Sequence, residues 1–205
     1  MNAEQALQEL LRGNRRYIRE HYAGAHIGPE QRRKLTQGQF PFAIILSCSD
    51  SRVPPEIVFD QGLGDLFVVR TAGQALDSIA LGSIEYAVEY LKVKLLVVLG
   101  HEDCGAVKAA LADELPPGRI ADITAAIRPA VELTKVQSGN SAFHAVVNNV
   151  GLGVEALSDT PLLRKASLAG GLRIMGAVYC LQNGQVVFLQ DSGRIAQHGQ
   201  NEPAR

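Results

Sequence analysis

Apolar and polar positions along this chain follow two different periods. Near the amino end Leu7, Leu10, Leu11, Tyr17 and Ile18 recur at helical spacing, behind Asn2 with Gln5 three places on. That pairing is the mark of a reciprocally capped helix. Its stripe is narrow and stands far in sequence from the main core, so this arm is expected to pack on a partner subunit. Pro29 opens a second, charge-rich helix that ends near Gly38. Beyond it the texture becomes α/β. Phe42 to Leu46, Leu66 to Val69 and Leu95 to Leu99 are short, continuous apolar runs, as expected of strands buried on both faces of a parallel sheet. Between the second and third, Asp77 caps a helix with Ile84, Ala87, Val88 and Leu91 on its inner face, completing a βαβ unit. Helices are predicted from Asp103 to about Ala112, then at Ile120 to Val136, Ala142 to Leu157 and Leu162 to Ala169. Gly170 and Gly171 turn the chain into two closing strands, Arg173 to Leu181 and Gln185 to Leu189, joined at Asn183-Gly184, a strong hairpin signal. The expected fold is a mainly parallel sheet of about five strands flanked by helices. It forms one domain over 1–205: a helical arm (1–38), an α/β core (39–190) and a polar tail (191–205).

Composition narrows the function classes. The formal net charge is −1, which argues against a nucleic-acid or membrane-surface partner, since both kinds of binding lean on a basic excess. No apolar run approaches the roughly 18 residues a membrane span needs. The amphipathic start does not read as a signal peptide, so a cytoplasmic protein is expected; an exported form with its signal removed would read the same. Cysteine occurs three times, at 48, 104 and 180. So sparse and odd a count is no disulfide framework, which leaves small buried hydrophobes or metal ligands.

Candidate chemistry gathers behind the predicted strands, where ligands of open α/β sheets bind. Cys48-Ser49-Asp50-Ser51-Arg52 follows the first strand. Its plain reading is a strand-to-helix turn, but it packs a thiol, a carboxylate and a guanidinium into five residues. Asp50 and Arg52 are close enough to pair, which keeps the carboxylate ionised. His101-Glu102-Asp103-Cys104 follows the third strand. Histidine and cysteine three apart can turn onto one metal, one from a strand end and the other from a helix start. A parallel neighbour would bring Cys48 alongside. Three protein ligands, Cys48, His101 and Cys104, are the mark of a catalytic zinc whose fourth place is open. Cys180 and the histidines at 21, 26, 144 and 198 read as core or surface residues. Gly62-Leu63-Gly64 precedes a strand instead of following one, so it reads as a tight turn and not a dinucleotide fingerprint.

These phrases resemble the β-class carbonic anhydrases, zinc enzymes that interconvert carbon dioxide and bicarbonate. The likeness rests on Cys48 to Pro54, Gly64 to Arg70, Ser83 to Val88 and Gly100 to Val107, and extends over most of the chain. It implies one zinc ion per subunit on Cys48, His101 and Cys104. Asp50 and Arg52 would form a catalytic dyad that aims a hydroxide at carbon dioxide, with Asp50 able to become a fourth ligand in a closed state. Gln39, nine residues before Cys48, falls where the family places a glutamine that reaches a neighbouring subunit's substrate. Phe67 and Tyr86 fall where aromatic side chains line the substrate pocket. A homodimer or tetramer is implied, with the N-terminal helices over the partner. The chain also departs from the pattern. One branch builds a bicarbonate inhibitory site with a tryptophan where this chain has Ile45, and the chain has no tryptophan. Although Arg70 and Tyr179 fall at the other positions of that site, such regulation is not expected here. Thr71 and Gln74 stand where asparagines are common, and Cys180 where an acidic residue is frequent. Two rival functions use the same residues: hydrolysis of carbonyl sulfide or carbon disulfide, and a non-catalytic zinc-stabilised oligomer. A purely structural site has no need of Asp50 and Arg52.

Overall fold

The structure, a computed structural model, describes residues 1–23, 27–112, 114–136 and 139–189; the expected polar tail, His26 and His198 lie outside them. Five strands form one sheet in the order β2-β1-β3-β4-β5. They are β1 (Ala43–Cys48), β2 (Leu66–Thr71), β3 (Leu95–His101), β4 (Arg173–Tyr179) and β5 (Val186–Phe188). All neighbours run parallel except β4 and β5. Both β1 and β3 are buried along their whole length. Their alternate residues divide between two apolar layers, which is the period-2 geometry of a strand covered on both faces. Ile44, Leu46, Leu96 and Val98 face one layer; Ala43, Ile45, Leu95, Val97 and Leu99 face the other.

The first layer is covered mainly by α4 (Ser78–Glu89), α5 (Gly105–Leu111), α6 (Ile120–Thr134), α7 (Ser141–Asp159) and α8 (Pro161–Gly170). Asp77 caps α4 by accepting from the amides of Ile79 and Ala80. The second layer is covered by α1 (Ala3–Ile18) and the short α3 (Pro55–Val58), while the seven-residue α2 (Pro29–Leu35) buries none of its residues. In α1 the Asn2–Gln5 capping box forms as expected. Part of its apolar stripe packs on this chain's own sheet: Ala6, Leu7 and Leu10 are buried against the second layer, while Ile18 at its far end stays exposed. Each leucine contributes roughly 1.5–3 kcal/mol by burial. Asn14 then ties the helix down. Its Nδ2 donates to the carbonyls of Val58 (3.0 Å) and Gly184 (2.9 Å), and its Oδ1 accepts from Val186 N (2.9 Å). The approach is so close that a Cβ at Gly13 would lie 1.8 Å from the Phe59 carbonyl oxygen. What looks peripheral in sequence is a structural layer of the domain, because the contacts that make it so are non-local.

Both closing strands are shorter than the pattern suggests, but the Asn183-Gly184 turn joins them, with Gly184 at φ +75°. Gly64 likewise turns the chain into β2, with Gly62 N donating to the Asp65 carboxylate at 2.8 Å. Among the described residues no helix is long and apolar enough to cross a membrane.

Candidate metal centre

The connection from β1 leads to β2 on one side, while that from β3 leads to β4 on the other. Such a reversal opens a crevice at the carboxyl ends of the two central strands. Cys48 is the last residue of β1 and His101 the last of β3, each two positions beyond the apolar run that announces its strand. Cys104 is the N-cap of α5. The chain thus folds back as the His-x-x-Cys spacing requires. The ligand atoms of these three buried residues all lie within 4.8 Å of one another, and the two sulfurs are 3.9 Å apart.

Their electrostatics suit a cation. The Cys104 thiol and, more weakly, His101 and the Gly73 amide draw the Cys48 thiol well down, although burial opposes this. Cys104 is pushed up, first by its contact with Cys48 and then by burial, so in the absence of a cation the pair shares its proton. A divalent ion would replace that proton and favour two thiolates. Burial acts to lower His101, but the Cys48 sulfur, the Glu102 carbonyl and Asp50 outweigh it. The Nδ1 atom of His101 lies 2.7 Å from the Glu102 carbonyl. A carbonyl only accepts, so Nδ1 carries the proton, and in the neutral ring Nε2 presents a bare lone pair. That Nε2 is buried and has no hydrogen-bond partner among the described residues. An unpartnered buried nitrogen beside two sulfurs is what a metal-binding imidazole looks like, with its other nitrogen fixed by a carbonyl. The S2N donor set fits zinc.

Asp50 stands next to these three. Its Oδ2 is 3.8 Å from His101 Nε2. Arg52 grips both carboxylate oxygens, Nε to Oδ1 at 2.9 Å and an Nη to Oδ2 at 2.7 Å, and its backbone amide adds a third bond to Oδ1 at 2.9 Å. The Arg52 side chain holds Asp50 well below the usual carboxylate range against some opposition from burial. Arg52 also reaches Asp103, which is paired in turn with Lys108. Arg70 serves the backbone: it donates to the carbonyls of Cys48 (3.0 Å) and Asp50 (2.6 Å), clamping the loop that carries Cys48, Asp50 and Arg52.

Sequence pattern alone misses two contributors. The Gly73 amide donates to Cys48 Sγ at 3.2 Å. Glu102 fastens His101 to the closing hairpin, with its amide on the Tyr179 carbonyl and its carboxylate on the Leu181 amide. Other expected residues lie elsewhere. Phe67 pairs with Tyr86 at a ring-centroid distance of 6.4 Å, but on β2 it stands opposite Ile44, four residues before Cys48. At about 3.3 Å of rise per residue this is about 13 Å from the metal centre. Gln39 is exposed just ahead of β1. The Phe67–Tyr86 pair and Gln39 therefore lie towards the amino ends of the strands, not at this chain's own centre. Tyr179 donates to or accepts from Tyr17 across 3.0 Å, and Ile45 is fully buried. Cys180 lies outside the cluster; burial pushes its thiol up to about 11, helped by Glu102.

The carbonic anhydrase family profile matches residues 43–186. The chain belongs to the β-carbonic anhydrase family. A carbonic anhydrase of Mycolicibacterium smegmatis is 41% identical over 201 residues, covering 96% of this chain and 98% of the relative. Among solved structures, a β-carbonic anhydrase of Aspergillus fumigatus superposes with a TM-score of 0.74 at 28% identity, over 91% of this chain and 90% of that one. One of two tetrameric β-carbonic anhydrases of Sordaria macrospora gives a TM-score of 0.73 at 29% identity, over 79% of this chain and 87% of that one. The family of enzymes is thus established on sequence and fold together, and the metal centre sits inside the matched span.

Proposed function

We propose that this chain is a zinc-dependent carbonic anhydrase, which reversibly converts carbon dioxide and water to bicarbonate and a proton. The observation that carries the reading is the buried Cys48, His101 and Cys104 set with the Asp50–Arg52 pair at its edge. A zinc ion held by these three residues would supply activation of water to a nucleophile near neutral pH. Two thiolates and a neutral imidazole cancel its double charge, so the protein has more of the aiming to do. Asp50 is suited to that and to little else. Arg52 keeps it ionised, which makes it a poor base and a permanent acceptor. By accepting the hydroxyl proton of the nucleophile it turns a lone pair towards carbon dioxide. Because Arg52 occupies both carboxylate oxygens, Asp50 is held as an outer partner, which would leave an ion on the three ligands free to bind water.

The relatives and the placement of Gln39, Phe67 and Tyr86 support an oligomer. Placed away from this chain's own centre, with Phe67 and Tyr86 paired, these three would complete a neighbouring subunit's substrate pocket. Stopped-flow hydration of carbon dioxide with a pH indicator tests the activity, alongside zinc content per chain. Cys48→Ala and His101→Ala should each lose zinc and turnover together. A zinc-free variant with full turnover, or zinc-loaded parent protein inactive on carbon dioxide at alkaline pH, would overturn the proposal.

A further inference from the structure

The Cys48 sulfur accepts a hydrogen bond from a turn that is built with unusual care. Residues Ala72–Gln74 form a single 3-10 turn directly after β2. Gly73 and Gln74 are both in the left-handed region, at φ +64° and +46°. This conformation is open to glycine but strained for glutamine. Each side of the turn is held. Thr71 Oγ1 donates to the Ala75 carbonyl at 2.7 Å. A Cβ at Gly73 would lie 2.7 Å from Ile127 Cδ1 and 2.9 Å from the Ala106 methyl, so α5 and α6 leave the turn no slack. From α7, Asn149 Nδ2 donates to the Gly73 carbonyl at 2.9 Å. Gly73 N in turn donates to Cys48 Sγ at 3.2 Å. The relay joins residues 76 positions apart and ends on a metal ligand.

We propose that Asn149 is a positioning residue for the metal centre. By holding the peptide that follows Gly73, it fixes the Gly73 N–H on the Cys48 sulfur and limits how much electron density that thiolate gives the metal. The inference rests on the zinc reading above. A thiolate that accepts a hydrogen bond is a weaker donor, which leaves the ion a better electrophile; with two thiolates in the set, that correction matters. Outer partners of this kind typically alter metal affinity or activity by about 10–100-fold.

The test uses the full-length protein with cobalt in place of zinc, whose sulfur-to-metal charge-transfer band reports thiolate donation irrespective of turnover. In Asn149→Asp, near in shape but lacking the donor, the band should move to lower energy. In the zinc form the pH profile of hydration should move to higher pH, with turnover near neutral pH down about tenfold. Asn149→Gln, which keeps an N–H donor, should recover part of both shifts. A folded, fully metallated Asn149→Asp protein with unchanged band and profile, even one with a lower Tm, would reduce Asn149 to a structural role and overturn the proposal. Should the variants not fold, the parent protein loaded with cadmium-113 serves. A scalar coupling between the metal and the Gly73 amide proton, transmitted through the N–H···S bond, is expected, and its absence overturns the relay. A parent protein inactive on carbon dioxide, with the band still shifted in Asn149→Asp, would refute the carbonic anhydrase activity and leave the relay standing.

Discussion

Replacing Asp50 by asparagine isolates the aiming role from metal binding. Asp50 accepts three hydrogen bonds from Arg52 and presents Oδ2 3.8 Å from His101 Nε2. An amide of the same shape has one oxygen, so either the Arg52 fork meets an NH2 or the nucleophile does. If the oxygen stays with Arg52, the nucleophile loses a charged acceptor. A hydrogen bond to a charged group contributes about 1.5–3 kcal/mol, and about 1.4 kcal/mol is tenfold in rate. The expected loss in turnover is therefore about 10- to 150-fold. Zinc content should stay at one ion per chain, because Asp50 is not among the three ligands. The assay is stopped-flow hydration at saturating carbon dioxide, with metal content measured on the same sample. Turnover within about threefold of the parent would refute the role of Asp50, and loss of zinc would make it a ligand.

Further outcomes follow from the same geometry. Arg52→Ala should release Asp50 towards its ordinary pKa of about 3.9, still ionised at pH 7. Its loss of turnover therefore comes from lost orientation and should not recover between pH 7 and 9; recovery on raising the pH would contradict this. The sign for stability is fixed as well: the Asp50 pairing is present above the ordinary carboxylate range and fades as the pH falls below it. Asn14→Leu removes three hydrogen bonds and strands buried backbone groups of Val58, Gly184 and Val186. At about 1–2 kcal/mol each, denaturant unfolding should show a loss of about 3–6 kcal/mol, and less than 1 kcal/mol would contradict the tether. Cys180, with its thiol pushed up to about 11 by burial, should resist alkylation at pH 8 in the folded protein. Modification at the rate of an unfolded control, read by mass spectrometry, would refute that.

Much of this arrangement can be read from the chain, for reasons that also explain what cannot. β1 and β3 announce themselves because burial on both faces makes them continuous apolar runs. Their last residues do not, since Ser47, Gly100 and His101 break the apolar pattern while the ladder continues to Cys48 opposite Thr71 and His101 opposite Tyr179. The candidate metal set is legible because its spacing is local on one side and a parallel neighbour supplies the other. Apolar spacing shows that α1 buries a face; it is silent about which surface receives it. The polar tethers through Asn14, and the relay from Asn149 to Gly73, link residues far apart in sequence and leave no periodic trace. Thr71 and Gln74, unexplained as sequence departures, gain a reason in part: the Thr71 hydroxyl closes the turn in which Gln74 is held left-handed. Phe67 and Tyr86 stand out by resemblance alone, and only the register of β2, with the Phe67–Tyr86 ring pair, reveals their distance from this chain's own centre.

X-ray absorption at the zinc edge of the loaded protein, followed from pH 6 to 9, tests the central claim most directly. Two sulfurs, one imidazole nitrogen and one solvent oxygen, as water or hydroxide, are expected throughout, coincident with carbon dioxide hydration. A third sulfur, a second imidazole, or a carboxylate oxygen that stays on the metal at alkaline pH in active protein would contradict it.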